Sequence, residues 1–172
     1  MSILELLGLA GPKKTDTPTI DNKVLDEIAQ ELSTLPRDEA LRVAAFAYVL
    51  SRVAYSDMKL GEEEHTRMRR LLQTHAALSP SVSDTVTKMA TQKAKLFGST
   101  HNYLVTREFN KIASHKEKKE LLRAVFAVAA ADGVITGAES RELRQVASEL
   151  RLDRSDYTDL RVAFRDKLEE NQ

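Results

Sequence analysis

Apolar residues recur along this chain at steps of three and four, and no stretch alternates cleanly between apolar and polar. That period marks amphipathic helices. It predicts a short amphipathic helix over residues 1–9, then a linker over 11–19 that carries Pro12 and Pro18. Further helices are expected over 21–32, from Pro36 through LRVAAFAYVLSRVA, over 62–76, and from Ser79-Pro80 to about residue 95. Others are expected over 100–113, 116–130 and 137–150, and from Arg154 onward. Asp153 is placed to cap the last of these, with Asp156 in its first turn.

The chain also matches itself. At a shift of 75 residues, Asp57 falls on Asp132, Leu60 on Ile135, Glu64 on Glu139 and Met68 on Leu143. Upstream, Val53 falls on Val128; downstream, with one residue of slip, LSPSVSD aligns with LDRSDYT. The repeated unit is an apolar helix, an acidic loop, an amphipathic helix, a capped turn and another helix. Two copies are too few for a solenoid. They predict an all-α fold in which two helical hairpins pack about an approximate twofold axis, a four-helix core with further helices around it. The repeat units cover about 38–95 and 115–168, within a single domain expected over 20–172.

Composition narrows the function. Lys+Arg and Asp+Glu both number 26, and this neutral total argues against a dedicated nucleic-acid binder. Without cysteine there is no disulfide, thiolate zinc site or cysteine nucleophile, and a cytosolic address fits. No apolar run approaches the roughly 20 residues that span a bilayer. MSILELLGLAGPKK does not read as a signal peptide, because Glu5 interrupts its apolar stretch and its lysines follow that stretch.

The chemistry concentrates in the two acidic loops. AADGVITGAE resembles the back half of a calcium EF-hand, with Asp132, Gly133, Ile135 and Glu139 at matching places. A complete EF-hand is excluded, since its first and third ligand places hold Val128 and Ala130 here, and Val53 and Tyr55 in the first copy. Two readings stay open. In one, Thr136 and Glu139 form a capping box and Gly133 merely turns the chain. In the other, Asp132, Glu139, Asp57 and Glu64, with Glu62 and Glu63 beside them, weakly bind a divalent cation such as Ca²⁺ or face a basic partner.

The Ala-rich helix followed by AADGVITGAESRELRQVASEL and RLDRSDY, with a fainter copy 75 residues earlier, resembles the TerB family of tellurite-resistance proteins. The N-terminal domains of DnaJ-like DjlA proteins share this module. The resemblance covers roughly residues 38–168 and is sharpest at 121–157. It implies a duplicated all-helical fold and a non-enzymatic, usually bacterial protein. It also implies roles in tellurite resistance, metal or stress responses, and membrane-associated complexes. The expected place is thus the cytoplasm or the periphery of the inner membrane, and the expected partner another protein. The family's acidic loop residues, associated with cation binding, map onto Asp132, Glu139, Asp57 and Glu64. Met58 departs from the pattern, standing where the first copy should have Gly.

Other constellations say less. Glu62-x-x-His65 has the spacing of di-iron carboxylate bundles, but no second motif accompanies it. His65, His75, His101 and His115 are scattered, and no Ser/His/Asp set, phosphate loop or HExxH motif points to an enzyme. Residues 88–119 are basic: Lys88, Lys93, Lys95, Arg107, Lys111, Lys116, Lys118 and Lys119 face only Glu108 and Glu117. Such a segment could bind an anion, either nucleic-acid phosphate or anionic lipid. Ile3, Leu4, Leu6, Leu7 and Leu9 could dock on the domain itself or on a partner. Three functions follow: an accessory protein of tellurite, metal or envelope stress, a pure protein-interaction module whose loop acids only cap helices, and an anion binder through residues 88–119.

Overall fold

Helices form where the apolar period puts them, and local hydrogen bonding sets their ends. The computed structural model describes residues 2–7, 9, 20–53, 62–92 and 103–171; the side chains of residues 20–25 and of Glu64 fall outside that description. The helices are α1 (Ile3–Leu6), α2 (Ile20–Thr34), α3 (Arg37–Val53), α4 (Glu62–Ala76), α5 (Pro80–Thr91), α6 (Tyr103–Ile112), α7 (His115–Ala129), α8 (Gly137–Glu149) and α9 (Arg154–Ala163). The fold is all-α. Among the described residues there is no strand, only an isolated parallel bridge between Ile135 and Leu168.

Side chains start most of these helices. Ser79 accepts the Val82 amide at the head of α5, with Pro80 as the first helical residue. Ser114 with Glu117, Thr136 with Glu139, and Asp153 with Asp156 form reciprocal capping boxes at α7, α8 and α9. Each satisfies two amides that the first turn leaves without intrahelical partners. Three ends differ from expectation. Pro36 lies just before α3, where its carbonyl accepts the Ala40 amide (2.9 Å) and its missing N–H costs nothing. Helix α5 stops at Thr91, short of residue 95, as Gln92 leaves the helical conformation. After α9 the chain breaks into two 3₁₀ turns, Arg165–Lys167 and Glu169–Asn171, around the extended Leu168.

Helix α3 is the hub. Twelve of its seventeen residues are buried, and it packs on α5, α6, α7 and α8. Its alanines Ala40, Ala44, Ala45 and Ala47 allow that close approach. One hydrophobic cluster runs from Leu7 to Leu168. Fully buried side chains such as Ile28, Leu50 and Leu72 each stabilise it by about 2 kcal/mol. The N-terminal segment joins this cluster: Leu7 is buried, and Ile3, Leu4, Leu6 and Leu9 pack against it. Of the two docking alternatives for that segment, the fold takes the intramolecular one.

The internal match reappears as element order. Helices α3, α4 and α5 correspond to α7, α8 and α9; α4 packs on α7, and α8 on α3. The turns before α5 and α9 agree residue by residue with the one-residue slip. Ala77 (φ 51°) and Arg151 (φ 56°) are both left-handed. Leu78 and Leu152 follow, then the caps Ser79 and Asp153. The third helices pack differently, α5 along α3 and α4, and α9 against α7.

Candidate functional site

The quoted loop begins where α7 tightens into the 3₁₀ turn Ala130–Asp132. Gly133 follows at φ 97°, with its amide on the Ala130 carbonyl (3.0 Å). Ile135 is fully buried and anchors the loop. Its amide donates to the Lys167 carbonyl (2.6 Å), and its carbonyl accepts the Glu169 amide (3.0 Å). The C-terminal turns therefore buttress the loop, a contact with no local signal in the sequence.

The loop carboxylates have partners within the chain. Glu139 Oε2 accepts from the Thr136 amide (2.8 Å) and the Thr136 hydroxyl (2.9 Å). Glu169 Oε2 accepts the Gly137 amide (2.8 Å), placing a second carboxylate at the positive end of α8. Asp132 is 86% exposed and meets Arg67 of α4 at 3.2 Å. Arg67 lies one turn beyond Glu63, and Glu62 and Glu63 are exposed at the start of α4. The structure thus brings Asp132 of the second loop beside the helix that the first loop opens. Asp57, Met58, Leu60 and Gly61 lie outside the described residues, as does the side chain of Glu64. Among the described residues, no three His, Asp or Glu side chains group as a metal site would require.

Most of the described bases in the basic segment have carboxylate partners. Lys88 meets Asp84 (2.9 Å) and Glu31 (3.3 Å), and the Asp84 bond leads in holding its ammonium above its ordinary value. Arg107 and Lys111 share Glu108, whose carboxyl they hold low, Lys111 foremost. Lys116 approaches Glu120 at 3.8 Å. Lys119 and His115 converge on Asp156 Oδ1 at 3.1 and 3.0 Å. Burial alone would raise the Asp156 carboxyl; Lys119, His115 and the Asp153 amide outweigh it and hold the group below its ordinary value. Lys118 is half-buried on α7, while Lys93 and Lys95 lie outside the described residues.

Two polar clusters escaped sequence reasoning. Arg42 and Glu117, themselves 75 residues apart, pair at 2.7 Å between α3 and α7. The Ser114 amide, ahead of Arg42, holds Glu117 below its ordinary value. A cavity of about 310 Å³ opens beside this pair, with Phe46, Val82 and Phe109 in its wall. The second cluster centres on Arg52, only 17% exposed on α3. It binds Glu149 (2.6 Å) and Glu142 (2.9 Å) of α8 and lies over the Tyr48 ring (5.6 Å). Asn110 of α6 donates to the Glu149 carbonyl at 2.6 Å. Arg42 and Arg52 both fall in the periodic apolar run of α3; arginines there were the available signal.

A sequence profile described as tellurite resistance protein TerB matches residues 42–162. The chain belongs to the TerB family. The match runs from α3 into α9, so the loop at 130–139 and the Arg52 cluster lie within TerB. Comparison with curated proteins and with solved structures gives no match. No helix among the described residues is long and apolar enough to cross a membrane.

Proposed function

We propose that this TerB protein is a non-enzymatic binding module of a tellurite or metal stress response. The face that carries Glu62, Glu63 and Asp132 meets a basic segment of a partner protein. The observation behind this reading is the use of Glu139. An EF-hand spends that glutamate as a bidentate ligand. Here one of its oxygens takes both Thr136 donors. Glu62, Glu63 and Asp132 remain at the surface, and the exposed pairing of Asp132 with Arg67 is worth no more than about 1 kcal/mol and yields to a competing cation or partner. Such a face suits lysines and arginines of another chain better than a tightly held ion.

Two measurements test this. In an amide NMR titration with Ca²⁺, Mg²⁺ and Mn²⁺, the Gly133 signal is expected to show no saturable shift up to millimolar ion. A saturable shift restores the cation reading. In the native host under tellurite, proteins cross-linked to the chain are compared with those cross-linked to a variant carrying Glu62→Lys, Glu63→Lys and Asp132→Lys. Loss of a basic partner at unchanged melting temperature supports the face; an unchanged set removes it.

A further inference from the structure

Residues 139–170 hold nine acids and seven bases, so by count this stretch is slightly acidic. Folding reverses the balance at one place. Glu142 and Glu149 turn to Arg52, Asp156 turns to Lys119 and His115, and Glu139 caps α8, while Asp153 caps α9 and stays in the wall of the groove described next. The arginines stay outside. Arg144 of α8, with Arg154 and Arg161 of α9, lines an open groove of about 630 Å³ between the two helices. Ala147, Leu152 and Tyr157 form its apolar floor, all three buried. Arg144 lies over the Tyr157 ring at 5.7 Å, and among the described residues no carboxylate pairs with Arg144 or Arg154. Arg161 is already held by Glu170 of the final turn.

We infer that this groove docks an acidic peptide segment of a partner protein, seating an apolar side chain over Leu152 and Tyr157 between flanking carboxylates. Arg154 and Arg161 lie seven residues apart on α9, on one face and about 10 Å from each other along the axis. Two carboxylates three residues apart on a polyproline-II chain lie on one side and span about the same distance. Glu170 on Arg161 shows the kind of group this end of the groove accepts. A single inorganic anion would gather its donors closely, whereas these guanidiniums stand on separate turns of two helices. Single-stranded nucleic acid would want exposed aromatic faces. Tyr157 is buried here between Arg144 and Phe126, the latter 5.8 Å away. The chain's zero net charge also withholds the broad electrostatic drive nucleic acid requires. This groove lies on α8 and α9, distinct from the acidic face at the start of α4, so the two readings stand or fall separately.

The test is an amide NMR titration of the full chain with a synthetic hexapeptide, Glu-Leu-Asp-Glu-Phe-Glu, capped at both ends. Saturable shifts are expected at Ser148, Leu152 and Thr158, weakening as NaCl is raised. Arg154→Ala removes an exposed side chain without an ion-pair partner and is expected to weaken binding roughly two- to fivefold, with Arg144→Ala adding a similar factor. Unchanged melting of Arg154→Ala separates lost binding from lost folding. No shift in the groove overturns the proposal. So does equal binding by inorganic phosphate or by an all-glutamate hexapeptide, since the apolar floor then plays no part. Tighter binding of a single-stranded oligonucleotide at the same amides assigns the groove to nucleic acid instead.

Discussion

Arg52 is a largely enclosed charge on the central helix, and its removal has a calculable cost. It ties α3 to α8 through two carboxylates of unequal exposure. Glu142 is 44% exposed, so its pairing is worth at most about 1 kcal/mol. Glu149 is 22% exposed, and its Oε2 is buried with no partner. Taking the guanidinium away strands that carboxylate. A fully buried orphan costs about 3–5 kcal/mol, which partial exposure reduces to about 2. Arg52→Ala should therefore lose about 3 kcal/mol, or roughly 6–12 °C in melting temperature for a chain of this size. Urea unfolding with a constant m-value measures it. The double variant Arg52→Met with Glu149→Leu should recover to within about 1 kcal/mol of wild type, because apolar replacement removes both charges together. A loss below about 1 kcal/mol for Arg52→Ala would refute the reasoning. So would a double variant no better than the single.

Three further outcomes follow from the same geometry. Glu139→Ala should cost about 1 kcal/mol in denaturant unfolding, while Glu139→Gln should stay near wild type because its amide oxygen still accepts from Thr136. Gly133→Ala should cost about 1–2 kcal/mol by thermal melt, wholly from the left-handed φ of 97°, since an added Cβ would meet nothing within 4 Å. Asp156 and Glu117 are both held below their ordinary values, so their ionised forms stabilise the fold above the unfolded values of about 4 and that contribution disappears as pH falls through the lower folded ones. Denaturant unfolding from pH 7 to pH 3 should accordingly show stability dropping below about pH 4, and Asp156→Asn should flatten the drop.

Much of this molecule was legible in the chain. The 3.6-residue period placed every long helix within a few residues. The spacing of Thr136 and Glu139 offered a capping box, and Asp153 was placed as a cap; both form, the second as a reciprocal box with Asp156. These are local features: a cap needs only residues three apart, and an apolar stripe needs only its own helix. The 75-residue match likewise predicted the shared element order of α3–α5 and α7–α9, and the quoted motif led to TerB.

What tertiary structure decided is where the charges point. A count over residues 88–119 sees a basic segment, yet Lys88, Arg107, Lys111 and Lys119 are turned onto Asp84, Glu31, Glu108 and Asp156. A count over residues 139–170 sees acid, yet the exposed groove there sets Arg144, Arg154 and Arg161 against the single carboxylate of Asp153. The bridge from Ile135 to Leu168 and the grip of Arg52 on Glu142 and Glu149 join residues more than thirty positions apart. Composition sums charges without direction, and helical period assigns each residue a face but not a neighbour. An ion pair exists only once two helices lie side by side. The sequence by itself therefore determined the helices and their caps. The packing of α8 on α3 and of α9 on α7 determined which carboxylates were used inside the fold and which arginines were left at the surface to bind.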